Sequence, residues 1–323
     1  MSTAVKPPPP APTDTVARSA GRPRIPFSSR IGPTRFGLLL VAPVAALLVA
    51  IVIYPVAYSL YLGLSHTNPF TGVRRFAGLD NFQQVLTDPD FWHSAWLTVY
   101  YVVCVTVLAS AVALGMALLL RERFVGRPVL MAVIVLPWSL STYAAAVVWR
   151  YVYSPQYGLL AAIAQHLGFQ PVDLLAKHSV IPALALVHAW QFAPLGTYFL
   201  LASLQVIPDD LYKLGKVDGM GIVRRFRTIT MPYIRLPFAI YVVLVGGQAA
   251  MAFDLIYFLT SGGPGGASQT LTYDIYQETF QDLSFGPGAA MSWILLIVVT
   301  ALTAGYYVAA MKPKSARGKA AQA

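Results

Sequence analysis

The sequence predicts an all-α membrane protein with six spanning helices, and three observations carry that prediction. The 323 residues are 57% hydrophobic and only 11% charged, whereas soluble domains hold about 25% charged residues. Six stretches reach the length of about 20 mostly apolar residues that a spanning helix requires. The Lys and Arg residues crowd into alternate connecting segments, which is the charge pattern of a polytopic membrane chain.

The six stretches are 36–62, 91–120, 128–149, 180–204, 236–260 and 285–311. Residues 1–35 precede them. This segment is rich in Pro, Ser and Arg, lacks a core pattern, and reads as a disordered tail. No small-residue cleavage pattern follows the first apolar run, so the run reads as an anchor rather than a removable signal. Pro43, Pro55, Pro137 and Pro194 fall inside the stretches and predict kinks, tolerable where neighbours satisfy the freed carbonyls.

Orientation follows from charge. Of 23 Lys and Arg residues, all but Arg74, Arg75, Arg150 and Lys177 lie in the N-terminal tail, the loops after the second and fourth stretches, and the C-terminal tail 312–323. Both termini are therefore predicted to be cytoplasmic in a multi-pass inner-membrane protein. The net charge of +10 is then a topology signal, and nucleic acid is not an expected partner. Cys104 is the only cysteine, which excludes a disulfide framework or a Cys-based metal site; no cofactor or metal is expected. Three outer segments remain, 65–90, 151–179 and 261–284. The last has no Lys or Arg but carries Asp274, Glu278 and Asp282. Such ledges suit either docking of a soluble partner or simple capping of helix ends.

The loop 205–235, on the cytoplasmic side, reads QVIPDDLYKLGKVDGMGIVRRFRTITMPYIR. Pro208 followed by Asp209 and Asp210 predicts a helix start, and Leu211, Leu214 and Val217 recur at helical spacing as one apolar face. Asp218-Gly219 interrupts the run, since glycine permits a chain reversal. A second short helix through Arg224, Arg225, Phe226 and Arg227 is expected to end near Met231-Pro232. Two short amphipathic helices about a glycine turn make either a handle for a cytoplasmic partner or an interfacial helix on lipid headgroups.

This loop resembles the coupling loop of ABC-importer permeases. Asp218-Gly219 matches that motif, and Phe226, Ile229 and Pro232 fall in register, with Met231 in place of a leucine. The Glu-Ala-Ala positions of the motif are Lys213, Leu214 and Gly215 here, so the acid that the family presents to its ATPase is reversed in charge. The chain also resembles the carbohydrate-uptake class of these permeases, the maltose and glycerol-phosphate permeases. The likeness lies in Phe76 through Phe82 with Asp88-Pro89-Asp90-Phe91-Trp92, in Leu136-Pro137-Trp138, in Trp149 and Gly158, and in the series from Asp254 through Gly265 to Ala290.

The resemblance implies a six-transmembrane-helix ABC importer permease fold forming half of a sugar or polyol pathway. It also implies separate nucleotide-binding ATPase subunits, a second permease subunit, an extracytoplasmic solute-binding protein and alternating access within membrane lipid. The expected ATPase contacts are Asp210, Leu211, Lys213, Leu214, Gly215, Asp218, Gly219, Phe226 and Pro232. The chain itself is not expected to be an enzyme: the glycine-rich 261–266 lacks the Lys-Ser/Thr ending of a P-loop. Polar and aromatic residues within the spans are candidates for the pathway, namely Trp190, Gln191, Gln248, Asp254, Tyr257 and Ser292. Sugars need hydrogen-bonding groups for hydroxyls and aromatic faces for rings, but the same residues also serve as interhelical hydrogen bonds. The rival from another class is an ion-coupled secondary transporter, which requires mid-membrane ion sites; Asp254 is the only acid well inside a predicted span.

Overall fold

The computed structural model describes residues 33–67, 71–122 and 124–311. The predicted N-terminal tail lies outside them except for its last three residues, which open the first helix, and the C-terminal tail 312–323 lies outside them entirely. The chain forms two compact units, Met1–Ala57 and Tyr58–Ala323. Helix α1 (Pro33–Leu48) is followed by a π-helical turn, Val49–Ile53, and by α2 (Tyr54–Gly63). The run Leu40–Gly63 is apolar and long enough to cross a membrane, in line with the first predicted span.

The second unit continues with a short antiparallel hairpin, β1 (Ser65–Thr67) and β2 (Arg74–Phe76), and α3 (Asp80–Thr87). Asn81, fully buried, donates to the carbonyls of Gly63 (2.8 Å) and Ser65 (3.1 Å). The Gly63 carbonyl loses its helical partner where α2 ends and Ser65 opens β1, and one side chain donates to both carbonyls. Helix α4 (Pro89–Arg121) starts on Asp88, whose carboxylate accepts from the Asp90 amide. Next come α5 (Arg127–Ser139), α6 (Thr142–Tyr153), α7 (Leu159–His166) and α8 (Val180–Gln205).

The core is the contact of α4 with α8. Residues 91, 94, 98, 101, 105, 109, 113, 117 and 120 of α4 are buried at helical spacing, and Ala109, Ala113 and Ala117 among them let the two backbones approach closely. Helix α8 is buried around most of its circumference, as an all-round apolar helix at the centre of a bundle must be. The remaining elements are α9 (Asp209–Val217), α10 (Ile222–Arg225), a π-helical turn Phe226–Thr230, α11 (Met231–Ala250), α12 (Asp254–Leu259), α13 (Leu271–Tyr276), another π-helical turn Gln277–Gln281, and α14 (Phe285–Met311). Among the described residues five helices are long and apolar enough to cross a membrane, and six if α5 and α6 count as one span.

Three expectations are corrected. The third stretch is not a kinked helix but a broken one: α5 and α6 meet at 101°. Pro137 lacks the amide that would continue α5, Leu140 is extended, and Ser141 caps α6 by accepting from the Ala144 amide at 3.2 Å. The fifth stretch also breaks. Its helix α11 stops at Ala250, and Asp254 opens the separate α12 rather than lying inside a span. The carbonyl of Ala252 in that break accepts from the Thr272 hydroxyl at 2.8 Å. Finally, the helix through Arg224–Arg227 does not end near Pro232 but runs on as one helical stretch, Ile222–Ala250. The wider π-helical turn just before Pro232 accommodates a ring that an α-helical turn would crowd.

In the segment between α12 and α14, Asp274 is more than nine-tenths buried and accepts from Gln269 Nε2 at 2.8 Å. Burial raises its carboxyl above the ordinary carboxylate range; the Ser94 and Gln269 hydrogen bonds oppose the rise, and the nearby charges of Asp88 and Asp90 add to it. The ionised form is the penalised one in the fold, so its contribution to stability is greatest at low pH and is lost as pH rises through the raised value. Acidification from neutral pH should therefore raise the melting temperature, and Asp274→Asn should flatten that slope. An unchanged slope in the variant would assign the effect elsewhere.

Gly196 on α8 faces the ring of Tyr241 on α11 so closely that a Cβ would run into it, and the Tyr241 hydroxyl donates to the Phe192 carbonyl at 3.3 Å. Gly196→Ala should cost about 1–3 kcal/mol by overpacking. Thermal unfolding in nanodiscs reads this as a lowered melting temperature, and in a Tyr241→Ala background the same Gly196→Ala change should cost much less.

Candidate functional site

Two regions of the second unit gather the functional side chains. The first is built on α9. Asp209 and Asp210 stand in its first turn, where the helix dipole favours acids. Its end is a Schellman turn: the Met220 amide donates to the Gly215 carbonyl (2.9 Å), the Gly219 amide to that of Lys216 (3.1 Å), and Gly219 adopts φ +67°. Only glycine takes this left-handed position without steric cost, which explains the Asp218-Gly219 pair physically.

The turn folds α9 back against the membrane helices. The Tyr212 hydroxyl is 2.7 Å from Thr230 Oγ1. The Arg121 guanidinium, in the last turn of α4, lies 3.7 Å from the Tyr212 ring centre and 3.2 Å from an Asp209 carboxylate oxygen. Gly215 is buried, and a Cβ there would stand 3.2 Å from Ile229 Cδ1. Leu211, Tyr212, Ile229 and Met231 pack against the main core. Thus α9 is clamped between the end of α4 and the start of the long stretch that becomes α11.

The inward face differs from the one predicted. Leu211 turns inward with Tyr212 and Gly215, whereas Leu214 (60% exposed) and Val217 (85%) point outward beside Ile222 (79%) and Val223 (68%). Phe226 is half-buried and Pro232 exposed. Lys213 is exposed and donates to Asp210 Oδ1 at 2.8 Å; this bond and its charge raise the Lys213 pKa and lower that of Asp210. The charge reversal at Lys213 therefore has an acidic partner one turn back on the same helix.

The second region lies between the two broken helices, which pack on each other through Tyr143 and Phe258, edge to face at 4.9 Å. A cavity of about 200 Å³ is lined by Thr142 at the start of α6, His188 and Gln191 on α8, Gln248 near the end of α11, and Phe253 and Asp254 at the second break. That volume is below the roughly 300–1,000 Å³ of pockets for drug-sized ligands and is on the scale of one sugar ring. Gln191 Nε2 donates to the Leu140 carbonyl at 3.0 Å, so it pairs with the carbonyl freed at the first break while also lining the cavity. His188, 4% exposed, has its Nδ1 2.7 Å from the Tyr101 hydroxyl of α4.

Of the predicted pathway residues, Gln191, Gln248 and Asp254 meet at this cavity; Trp190, Tyr257 and Ser292 do not line it. Trp190 packs edge-on against Trp149 at 5.5 Å. Tyr257 stacks on Phe253 at 5.2 Å, within a cluster that includes Tyr273 and Tyr276. The Ser292 hydroxyl donates to Gly288 one turn back on α14. Of the predicted ATPase contacts, Asp210, Leu211, Lys213, Leu214 and Gly215 lie on α9 and Asp218 and Gly219 in the turn that ends it, whereas Phe226 lies in the π-helical turn Phe226–Thr230 and Pro232 at the start of α11. Sequence reasoning missed Arg121, which it counted only as topology charge, together with Tyr212, Thr230 and Tyr101.

Gly219→Ala should destabilise the turn by about 1–2 kcal/mol, the usual penalty of a left-handed L-residue. Amide protection at residues 218–220 should fall by about tenfold in hydrogen exchange. Unchanged protection would mean that the turn does not depend on this glycine.

The sequence pattern of the family described as binding-protein-dependent transport system inner membrane component matches residues 92–310. The trehalose/maltose transport system permease protein MalF of Thermococcus litoralis is 33% identical over 274 residues, covering 84% of this chain and 92% of that protein. The sn-glycerol-3-phosphate transport system permease protein UgpA of Agrobacterium fabrum is 32% identical over 272 residues, covering 82% and 91%. The fold is similar to that of a chain of a bacterial ABC transporter involved in the import of the acidic polysaccharide alginate, with a TM-score of 0.75 and 17% identity over 87% of this chain and 96% of that one. The matched pattern takes in the α4–α8 core, the clamped α9 and the cavity between the broken helices, and the chain belongs to this family of inner-membrane transport components.

Proposed function

We propose that this permease is half of the membrane pathway of an ATP-driven importer and moves a sugar or related polyol by alternating access. The observation that carries the reading is α9: a short helix ended by a Schellman turn, clamped by Arg121 and Tyr212 to two long helices, and presenting an exposed apolar tip. A separate nucleotide-binding subunit that closes on this tip pushes a rigid element rather than a loose loop. Asp210, Lys213, Asp218 and Phe226 stand around it as contact residues, on a cytoplasmic face shared by both termini. The segments 65–90, 151–179 and 261–284 then face a loaded solute-binding protein outside.

The relatives support a polyol. Their names specify trehalose or maltose, sn-glycerol-3-phosphate and, for SmoG of Agrobacterium fabrum, sulfoquinovosyl glycerol. These solutes share vicinal hydroxyls and differ in charge. The cavity supplies suitable groups in Gln191, Gln248, Asp254 and Thr142. Gln248 and Asp254 are exposed on this chain, and polar groups at membrane depth need protein or water against them rather than lipid. A second permease subunit supplies that cover and the other half of the pathway.

Vesicles holding the complete transporter test the proposal. Uptake should require ATP and the soluble binding protein and should survive collapse of ion gradients. Uptake driven by a proton or sodium gradient without ATP would instead make the chain a secondary transporter. Within the importer, Arg121→Ala should lower transport by tenfold or more while ATP hydrolysis persists, because α9 remains but its tie to α4 is lost; equal loss of both activities would argue against a coupling clamp. Lys213→Glu breaks the pair with Asp210 and places a third acid on α9, and transport should fall. Full activity in that variant would remove Lys213 from the coupling surface.

A further inference from the structure

The segment 154–179, between α6 and α8, exposes apolar side chains that neither α9 nor the membrane cavity uses. Helix α7 ends in a Schellman turn: the Phe169 amide donates to the Ala164 carbonyl at 2.8 Å, the Gly168 amide to that of Gln165 at 3.0 Å, and Gly168 takes φ +80°. Residues from both sides of this turn line a groove of about 470 Å³. Ile163 and Leu167 line it before the turn, Phe169, Val172 and Leu174 after it, and Tyr153 at the end of α6. The Tyr153 hydroxyl donates to the Ala183 carbonyl at 2.9 Å, and Gln170 is the only other lining residue with a polar side chain.

The surroundings say what covers this groove. Tyr157, Leu159, Ile163, Leu167, Phe169 and Val172 are between 47% and 73% exposed, and Leu159, Ile163 and Leu167 recur at the four-residue spacing of one helix face. The band continues onto α6, where Tyr157 meets the ring of the exposed Tyr151 at 6.1 Å, and exposed Val147 stands one turn before Tyr151. Helix α6 is half of the broken span and α8 is the next span, so both ends of the segment are held at a membrane border. Tyrosines are enriched at that level. Arg150 and Lys177 add charge complementarity. They are two of the four Lys and Arg residues outside the predicted cytoplasmic segments, and among the described residues neither is in an ion pair. Arg150 stands one turn before Tyr153, and Lys177 three residues after Leu174, so the two bracket the groove in the chain. The one acid between them, Asp173, accepts from the Leu175 amide at 2.9 Å.

A solute-binding protein suits this patch less well. It comes and goes, and surfaces of transient partners are only about as apolar as the rest of a protein surface. A patch this apolar would stand bare in water between dockings, whereas lipid is always at hand.

We propose that the segment 154–179 lies in the membrane interface and seats a phospholipid, with an acyl chain in the α7 groove and the headgroup phosphate held by Arg150 and Lys177. The Tyr151–Tyr157 pair then sits at headgroup level. The proposal goes beyond the importer reading and does not depend on it, since it requires only that α6 and α8 stand in a bilayer.

The complete transporter is placed in nanodiscs of phosphatidylglycerol and phosphatidylcholine, with Phe169 replaced by the photoreactive benzoylphenylalanine. After illumination, mass spectrometry identifies what is joined to position 169. Phospholipid adducts are expected, at a yield that added solute-binding protein leaves unchanged. Adducts to the solute-binding protein in their place overturn the proposal and support the importer reading. Adducts to another transporter subunit, or none to lipid, overturn it equally. In a second measurement, phosphatidylglycerol is titrated onto the detergent-solubilised transporter and bound lipid is read by native mass spectrometry. Arg150→Gln with Lys177→Gln, both at exposed positions, should weaken the tightest binding by about tenfold or more, from roughly fivefold per basic residue. Unchanged affinity in this variant overturns the seat.

Discussion

Gln191 donates to the carbonyl of Leu140, and Thr272 to that of Ala252. In a lipid environment every backbone polar group has to find a partner within the protein, so a spanning helix breaks only where side chains take over the freed groups. Both breaks meet that condition, and they lie against each other through Tyr143 and Phe258. The cavity exists because of them. An unbroken third or fifth helix would present a continuous apolar surface there, with neither Thr142 nor Asp254 at its end. The polar side chains lining the cavity therefore divide their work, some holding the breaks open and others left available to a solute.

The cavity and α9 are joined by one helix. Helix α4 carries Tyr101, which fixes His188, and twenty residues later Arg121, which holds Asp209 and Tyr212. At 1.5 Å per residue the two positions are about 30 Å apart. Between them α4 is buried along α8 at Val105, Ala109, Ala113 and Ala117, where small side chains leave little room for sliding. A displacement applied to α9 thus has a stiff path to the cavity wall that does not pass through any loop.

Hydropathy made much of this legible and hid the rest for identifiable reasons. The ends of α8 and α14 fall within a residue of the predicted stretches, because apolar content marks where a helix can lie in lipid. It does not report direction: nothing in 128–149 distinguishes a Pro137 kink from a 101° bend, since the deciding hydrogen bond comes from Gln191, 51 positions from Leu140. Apolar residues likewise continue past Ala250, so the second break was invisible. Polar residues in apolar runs stand out in the sequence as a class, but their individual placement depends on local geometry. Ser292 satisfies itself on its own helix, whereas Gln248 is left facing the cavity. The Tyr101–His188 pair joins positions 87 residues apart with no motif between them. Asp218-Gly219 was legible because its constraint is local.

The charge reversal at Lys213 reads differently once its neighbours are known. Asp209 is engaged by Arg121 and Asp210 by Lys213, so the two acids at the start of α9 are already matched within the chain. What remains outward at the far end of the helix is Leu214 and Val217, continued by Ile222 and Val223 across the glycine turn. Exposed ion pairs contribute little to association, on the order of 0–1 kcal/mol, whereas apolar burial contributes about 25 cal/mol per Å². A partner closing on α9 therefore gains more from covering this tip than from any single acid at position 213. The departure at Lys213 thus leaves the exposed apolar tip of α9 unchanged, and its charge is matched by Asp210 on the same helix.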